Sequence, residues 1–153
     1  MGVIVMMLVP DIRQKTDWDG SYAAATSILL MFNRIAPNTN PAIKQKRQQT
    51  NPNNLAEALR SYGLHIQSGE MSQEDLRHHI KQNRPVICLT QYNGTGHYVI
   101  VFDVTDYDLG IQCPTQGPIR KSWEDFTKDW WDCIRTENII ESYNQFGIAV
   151  WET

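Results

Sequence analysis

The strongest apolar pattern in the chain lies in its first quarter, between Gly20 and Phe32. Three consecutive alanines are followed there by the uninterrupted apolar run 28–32, so almost no polar face remains. A helix that is apolar nearly all round is buried. The pattern therefore predicts a buried helix over residues 20–32. Asp17 and Asp19 stand just ahead of it, and either could cap its free N–H groups and complement the positive end of its dipole.

A second helix is predicted after a polar segment. Residues 36–52 are rich in asparagine, proline and glutamine, a composition typical of a loop. Asn53 or Asn54 can then cap a helix that runs to about Tyr62 and is stopped by Gly63.

Ser72 and Asp75 resemble a capping box, which predicts a third helix ending near Gln82. Two shorter stretches, Val3 to Leu8 and His65 to Gln67, are predicted to be strands. Both are weak patterns because each is brief.

The second half of the chain changes to strand-like segments separated by turn signals. The strands are predicted at Pro85 to Tyr92, His97 to Val104, Leu109 to Gln112 and Phe146 to Trp151. A short amphipathic helix over Ser122 to Trp131, with Asp125 as the partner of its capping serine, interrupts them. Helices followed by antiparallel strands predict an α+β fold of two packed layers.

Composition narrows the class of protein. The apolar fraction of 41% and charged fraction of 20% are near the globular average, so we expect one compact domain spanning residues 1–153. A net charge of -3 argues against a nucleic-acid partner, and the basic cluster Lys44 to Arg47 is interpreted as a solvated loop. The apolar run from Val3 to Val9 is too short to be a membrane span or signal peptide, so no membrane association is expected.

Cysteine and histidine usage predicts neither a metal site nor a cofactor. Three cysteines, an odd number without metal spacing, fit a reducing cytoplasm better than a disulfide scaffold. Cys88, within an apolar strand, is expected to be an inert core thiol. His65, His78 and His79 are expected to be surface residues, because no pair among them has a partner set for zinc.

Several residues stand in an order that has chemical meaning. Gln14 precedes Gly20 by six positions, His97 lies on a predicted strand, and Cys113 is followed by Pro114. A thiol peptidase needs a cysteine at a helix N-terminus, a histidine on a facing strand to carry the proton, and a polar group that orients the histidine. A glutamine upstream usually donates to the developing oxyanion.

This order resembles the bacteriocin-processing (C39-like) cysteine peptidases over roughly residues 9–131. Their Gln, five residues, Cys-Gly-x-Ala pattern is similar to residues 14–23, and their Gly-His-aromatic-Val-Val strand to residues 96–101. Pro114 falls at the position where their Asn-Asp-Pro turn ends, and residues 122–130 are similar to their Ser-x-x-x-Phe segment. The resemblance implies a papain-like fold in which a buried N-terminal helix packs on an antiparallel sheet.

The departures from the family pattern fall on the chemistry. On this alignment the nucleophilic cysteine becomes Gly20, the next glycine becomes Ser21, and the aspartate that orients the histidine becomes Cys113. Gln14 and His97 keep the roles of oxyanion donor and base. With no side chain at position 20, the acyl-thioester mechanism cannot run. Ser21 is a poor substitute, because one residue of helix turns the side chain by about 100°.

The resemblance implies a C39-like domain that is inactive as written and binds a peptide or protein in the residual cleft. Domains of this kind that lack the cysteine occur as substrate-docking modules of export transporters. One alternative is a cysteine peptidase acting on peptide bonds, represented here by a variant without its cysteine. Another is a structural or inhibitory interaction protein that reuses the fold. Whether the chain is an enzyme stays open, and so does its oligomeric state.

Purely structural roles also stay open for the site residues. Gln14 could be an ordinary loop residue, and His97 a strand histidine satisfied by its neighbours. Cys113 could be a half-buried packing thiol or, as a thiolate beside His97, the most reactive of the three cysteines. Four tryptophans could either pack the core or line a peptide groove: Trp123, Trp130, Trp131 and Trp151.

Overall fold

The computed structural model describes residues 7–15, 19–38, 51–92, 94–135 and 140–152. Within these ranges the helices are α1 (Gly20–Met31), α2 (Pro52–Arg60), α3 (Gln73–Lys81) and α4 (Trp123–Asp129). The strands are β1 (His65–Glu70), β2 (Val86–Tyr92), β3 (Thr95–Val104), β4 (Asp108–Cys113), β5 (Gly117–Ser122), β6 (Trp131–Arg135), β7 (Ile140–Asn144) and β8 (Phe146–Trp151).

Six of these strands form one antiparallel sheet in the order β1-β8-β2-β3-β4-β5. Strands β6 and β7 pair with each other in a separate two-stranded sheet, which packs against β2 and β3. Strands β2 to β5 follow one another in chain order, so each is joined to its neighbour by a short turn. The predicted α+β fold with an N-terminal helix packed on an antiparallel sheet is confirmed.

The sheet is covered on both faces, so the prediction of two layers was wrong. Helices α1 and α2 pack on one face against alternate strand residues such as Ile87, Leu89 and Ile100. Helices α3 and α4 pack on the other face, against residues such as Val86 and Val101. A strand that is apolar at consecutive positions is typical of a sheet buried on both sides, and β2 has that pattern.

Helix α1 is buried as predicted, but the expected cap is different. Its residues from Ala23 to Leu29 are all buried, and Ser27 donates from its hydroxyl to the carbonyl of Pro10 (2.9 Å). Asp19 occupies the N-cap position without making a side-chain cap hydrogen bond. Its carboxylate accepts instead from the backbone N–H of Lys15 (3.0 Å) and so fixes the approach to the helix. Asp17 lies outside the described residues.

The predicted cap of α2 was also wrong, because the helix begins earlier. Asn51 is the N-cap and accepts from the N–H of Asn53 (2.8 Å), while Pro52 occupies the first helical turn. Proline is favoured there because its missing N–H would have no helical partner. The neighbouring residues 39–50 lie outside the described ranges, and with them the basic cluster Lys44 to Arg47.

The capping box of α3 is confirmed, with Ser72 and Asp75 each bonded to the other's backbone N–H. Ser122 caps α4 in a similar way by accepting from Asp125 N–H (3.1 Å). His79 is not the surface residue that was expected. Its side chain is buried where α3 meets the ring of Trp151 at the end of β8.

Sequence patterns missed strands β5, β6 and β7. Strand β5 carries a proline and two basic residues, so its composition does not predict a strand. It forms because it lies at the sheet edge and pairs with β4 along its whole length. The predicted N-terminal strand Val3 to Leu8 lies mostly outside the described residues, and Met7 and Leu8 are not in a strand.

Candidate functional site

Two of the predicted site residues are in direct contact. The Nε2 atom of His97 on β3 lies 3.2 Å from the Sγ atom of Cys113 at the end of β4. The two strands are antiparallel neighbours, so the start of one meets the end of the other at the same edge of the sheet. Both side chains are buried, with His97 only 7% exposed.

The ring of His97 is held from other directions as well. The ring of Tyr92 stacks on the ring of His97, with centroids 5.0 Å apart. Thr90 pairs with His97 across the sheet, and its hydroxyl donates to the backbone carbonyl of His97 (3.1 Å). A tyrosine on the end of β2 was visible in the sequence, but only strand pairing shows that it meets His97.

Hydrogen-bonding groups of the turn at residues 114–116 surround the sulfur of Cys113. The Oγ1 atom of Thr115 lies 3.2 Å from it, and the turn at residues 114–116 also presents backbone N–H groups of Thr115 and Gln116. Burial raises the pKa of the Cys113 thiol, but hydrogen bonds from His97, Thr115 and Gln116 outweigh it and lower the pKa to about 6. Donors stabilise the thiolate because it is the form that accepts.

Gly20 and Gln14 form a second pair at the N-terminus of α1. A Cβ atom added to Gly20 would stand 3.0 Å from Oε1 of Gln14, so a side chain at position 20 would face the glutamine. The backbone of Gln14 donates to the carbonyl of Pro114 (2.9 Å), the residue next to Cys113. This bond connects the two pairs. That position 20 faces His97 stays a prediction.

Sequence reasoning missed Arg13, which holds the same turn from outside. Its guanidinium donates to the carbonyl of Thr115 (3.3 Å) and to Asp11 (2.7 Å), and it lies over Gly117. Asp11 also accepts from Gln112 (2.5 Å), so this pair ties the N-terminal segment to β4. The bond to Asp11 raises the pKa of Arg13, and the charge of Cys113 acts in the same direction. No local pattern links residues about a hundred positions apart.

A narrow cleft, with room for about one water molecule, opens beside His97 and Cys113. Its apolar lining residues include Val99, Ile111 and Phe126. The polar lining residues are Thr90, Gln91, Gln116, Lys121 and Asp129. This combination of apolar and polar side chains is the lining typical of a ligand-binding site.

The four tryptophans divide between core and surface. Trp130 is fully buried and donates to the carbonyl of Phe146 (3.0 Å), and Trp123 is also buried. Trp131 is 46% exposed, and Trp151 is half-buried beneath the guanidinium of Arg84. Core packing therefore accounts for two of them.

Cys88 occupies the buried interior of β2, and burial raises its pKa well above the ordinary value. Among the described residues, no three histidine, cysteine, aspartate or glutamate side chains are grouped so that they could hold a metal ion. In the same part of the chain, no helix has both the length and the apolar character needed to cross a membrane.

The fold is that of a papain-like cysteine peptidase, in which a buried helix packs against the histidine-bearing strand of an antiparallel sheet. The chain belongs to the Peptidase C39 family, whose sequence model matches residues 9–136. The resemblance drawn from the sequence is thereby confirmed. No curated protein matches the chain in sequence.

Solved structures agree with this assignment at the level of the fold. A double glycine motif protease from an AMS/PCAT transporter, in complex with the leader peptide, has a TM-score of 0.69 at 17% identity, covering 97% of this chain and 94% of that one. The peptidase domain of Streptococcus ComA, a bifunctional ABC transporter of a quorum sensing pathway, has a TM-score of 0.66 at 17% identity, with coverages of 93% and 97%. The peptidase domain of Streptococcus mutans ComA has a TM-score of 0.61 at 16% identity, with coverages of 92% and 97%.

Proposed function

We propose that this C39 domain binds a peptide or protein segment in the cleft beside His97 and does not cleave it. One observation carries the proposal: the residue at the N-terminus of α1 that faces Gln14 is a glycine. A helix N-terminus favours a thiolate there, but glycine offers no atom that could attack a carbonyl. On this proposal, position 20 corresponds to the family's nucleophile but cannot supply its chemistry.

The cleft supports a peptide as the ligand. Apolar side chains line it together with a lysine and an aspartate, a mixture that suits an apolar peptide side chain flanked by polar backbone once the cleft widens beyond the one water it has room for. A structural relative was solved in complex with a leader peptide.

The free thiols of Cys88, Cys113 and Cys133 further support a reducing, cytoplasmic location.

Binding is tested with a fluorescein-labelled synthetic leader peptide ending in Gly-Gly, measured by fluorescence anisotropy. Ile119 lines the cleft and is only half-buried, so Ile119→Glu places a charge in the cleft wall and should weaken binding by about tenfold or more. Ile140 is 66% exposed on β7, so Ile140→Glu is the matched control and should leave the affinity unchanged. Equal affinity of both variants would contradict binding in this cleft.

Absence of cleavage is tested by mass spectrometry of the same peptide after long incubation. We expect intact peptide with the unmodified chain, and some hydrolysis from Gly20→Cys combined with Ser21→Gly and Cys113→Asp. The Cβ of the new cysteine requires only that the flexible end of Gln14 shift by a few tenths of an ångström. Hydrolysis by the unmodified chain that disappears in Ser21→Ala would instead establish serine chemistry.

A further inference from the structure

Cys113 has the surroundings of a reactive thiol, and the proposed peptide binding makes no use of them. His97, Thr115 and the backbone of the 114–116 turn all direct polar groups at its sulfur. By contrast, Cys88 is fully buried among apolar side chains, and within the described residues the one hydrogen-bond contact of its sulfur is to the carbonyl oxygen of Val86, at 4.0 Å. The two cysteines belong to the same core on one face of the sheet, but Cys113 lines the cleft and has polar groups at its sulfur, whereas Cys88 is fully enclosed by apolar side chains.

The cleft gives narrow access to Cys113. The residue is only 2% exposed, yet it is one of those that line the cleft together with His97. The space beside the sulfur has room for about one water molecule, so we expect a peptide carbonyl to be excluded from it and a reagent as small as hydrogen peroxide to reach it.

We propose that Cys113, paired with His97 in the cleft, is a site of oxidation by hydroperoxides. The sulfur attacks one peroxide oxygen, an S–O bond forms as the O–O bond breaks, and the leaving hydroxide takes a proton from solvent to become water. The thiolate is oxidised by two electrons to a sulfenic acid and hydrogen peroxide is reduced to water. This inference does not depend on whether the cleft also binds a peptide.

Charge and hydrogen bonding favour the attacking form. The pKa of Cys113 is lowered to about 6, so about half of the sulfur is thiolate at pH 6. The groups that act on it directly are His97 on β3 and Arg13 on the N-terminal segment, while Tyr92 on β2, Lys121 on β5 and Asp129 on α4 line the same cleft. Asp129 is the one carboxylate among them, and the Lys121 ammonium lies 3.9 Å from it and offsets its charge.

The expected rate advantage follows from two opposing effects. An ordinary thiol with a pKa of about 8.5 is only about 0.3% thiolate at pH 6, so Cys113 has roughly 150-fold more of the reactive form. A less basic thiolate is also a weaker nucleophile, which removes about tenfold over this difference in pKa. Restricted access lowers the rate by the same factor at every pH. The pH profile is therefore the decisive measurement, because it does not depend on access.

The test treats the intact protein with hydrogen peroxide from pH 5 to 9, stops the reaction with catalase, unfolds the chain and labels the remaining thiols with N-ethylmaleimide. Mass spectrometry then gives the oxidation rate of each cysteine. We expect the rate of Cys113 to be half-maximal near pH 6 and level above pH 7, while Cys88 stays unmodified. A rate that keeps rising towards pH 9, as for an ordinary thiol, would overturn the proposal.

The variant His97→Phe removes the Nε2 donor but keeps a ring that can stack on Tyr92. We expect its Cys113 rate at pH 6 to fall at least fivefold and its midpoint to move up by about one pH unit or more. The matched control is His65→Phe, the same change at an exposed histidine stacked on Trp151, which should leave the profile unaltered. If His97→Phe folds, as judged by circular dichroism, with an unchanged profile, the pairing is refuted. If it does not fold, the profile of the unmodified protein decides the question alone.

Discussion

Gly117 offers the sharpest test of how the turn beside Cys113 is built. It has a backbone φ of +80°, and a Cβ atom placed on it would lie 2.2 Å from Nη2 of Arg13 and 2.9 Å from its Cζ. Gly63 is a matched control, because its φ is +82° and a Cβ there would meet nothing within 4 Å. Alanine at either position therefore adopts the same unfavourable backbone conformation, but only at position 117 does it collide with a side chain.

The magnitudes follow from these two differences. A left-handed backbone at a residue with a Cβ costs about 1–2 kcal/mol, so Gly63→Ala should lower the free energy of unfolding by that amount. Gly117→Ala should lose about 1 kcal/mol more. That figure is at the low end for overpacking, because Arg13 is half-exposed and can move aside.

Urea denaturation followed by tryptophan fluorescence measures both variants. Combining Gly117→Ala with Arg13→Ala should remove the collision, so the substitution at 117 should then cost no more than Gly63→Ala. A coupling energy of about 1 kcal/mol between positions 13 and 117 is expected from this cycle. If Gly117→Ala costs the same with and without Arg13, the guanidinium does not lie over the turn and the account of this part of the site fails.

Three further predictions use the same denaturation assay. Ser72→Ala removes the cap of α3 and should cost about 1 kcal/mol, whereas an unchanged unfolding free energy would show that the box contributes nothing. Trp130→Phe leaves the buried carbonyl of Phe146 without its indole donor and should cost about 1–3 kcal/mol, with a neutral effect counting against that bond. Burial lowers the pKa of His79, so the unfolded chain binds the proton more readily and stability should fall as the pH drops below about 6.5. In His79→Leu the loss of stability at low pH should be smaller. A pH dependence identical to that of the unmodified protein would show that His79 is not the group responsible.

The sequence by itself determined the local elements and the family resemblance. The buried helix at 20–32 and the capping box at Ser72 could be predicted because their signals lie within a few neighbouring residues. That position 20 is a glycine is read directly from the sequence, and its alignment with the family's nucleophile stays a prediction. The family resemblance followed from the order of Gln14, His97 and the Cys113-Pro114 turn. That order is a property of the sequence and does not depend on how the chain packs.

Only the tertiary structure decided what surrounds those residues. The consecutive apolar residues of β2 were consistent with burial on both faces, but the helices on the second face had to be seen packed there. Strand β5 was missed because an edge strand is held by its partner and not by its own composition. The contact of His97 with Cys113 depends on strand register, and that of Arg13 with Thr115 joins positions separated by 102 residues. Contacts of this kind arise from packing of the whole domain, which no short window of sequence encodes.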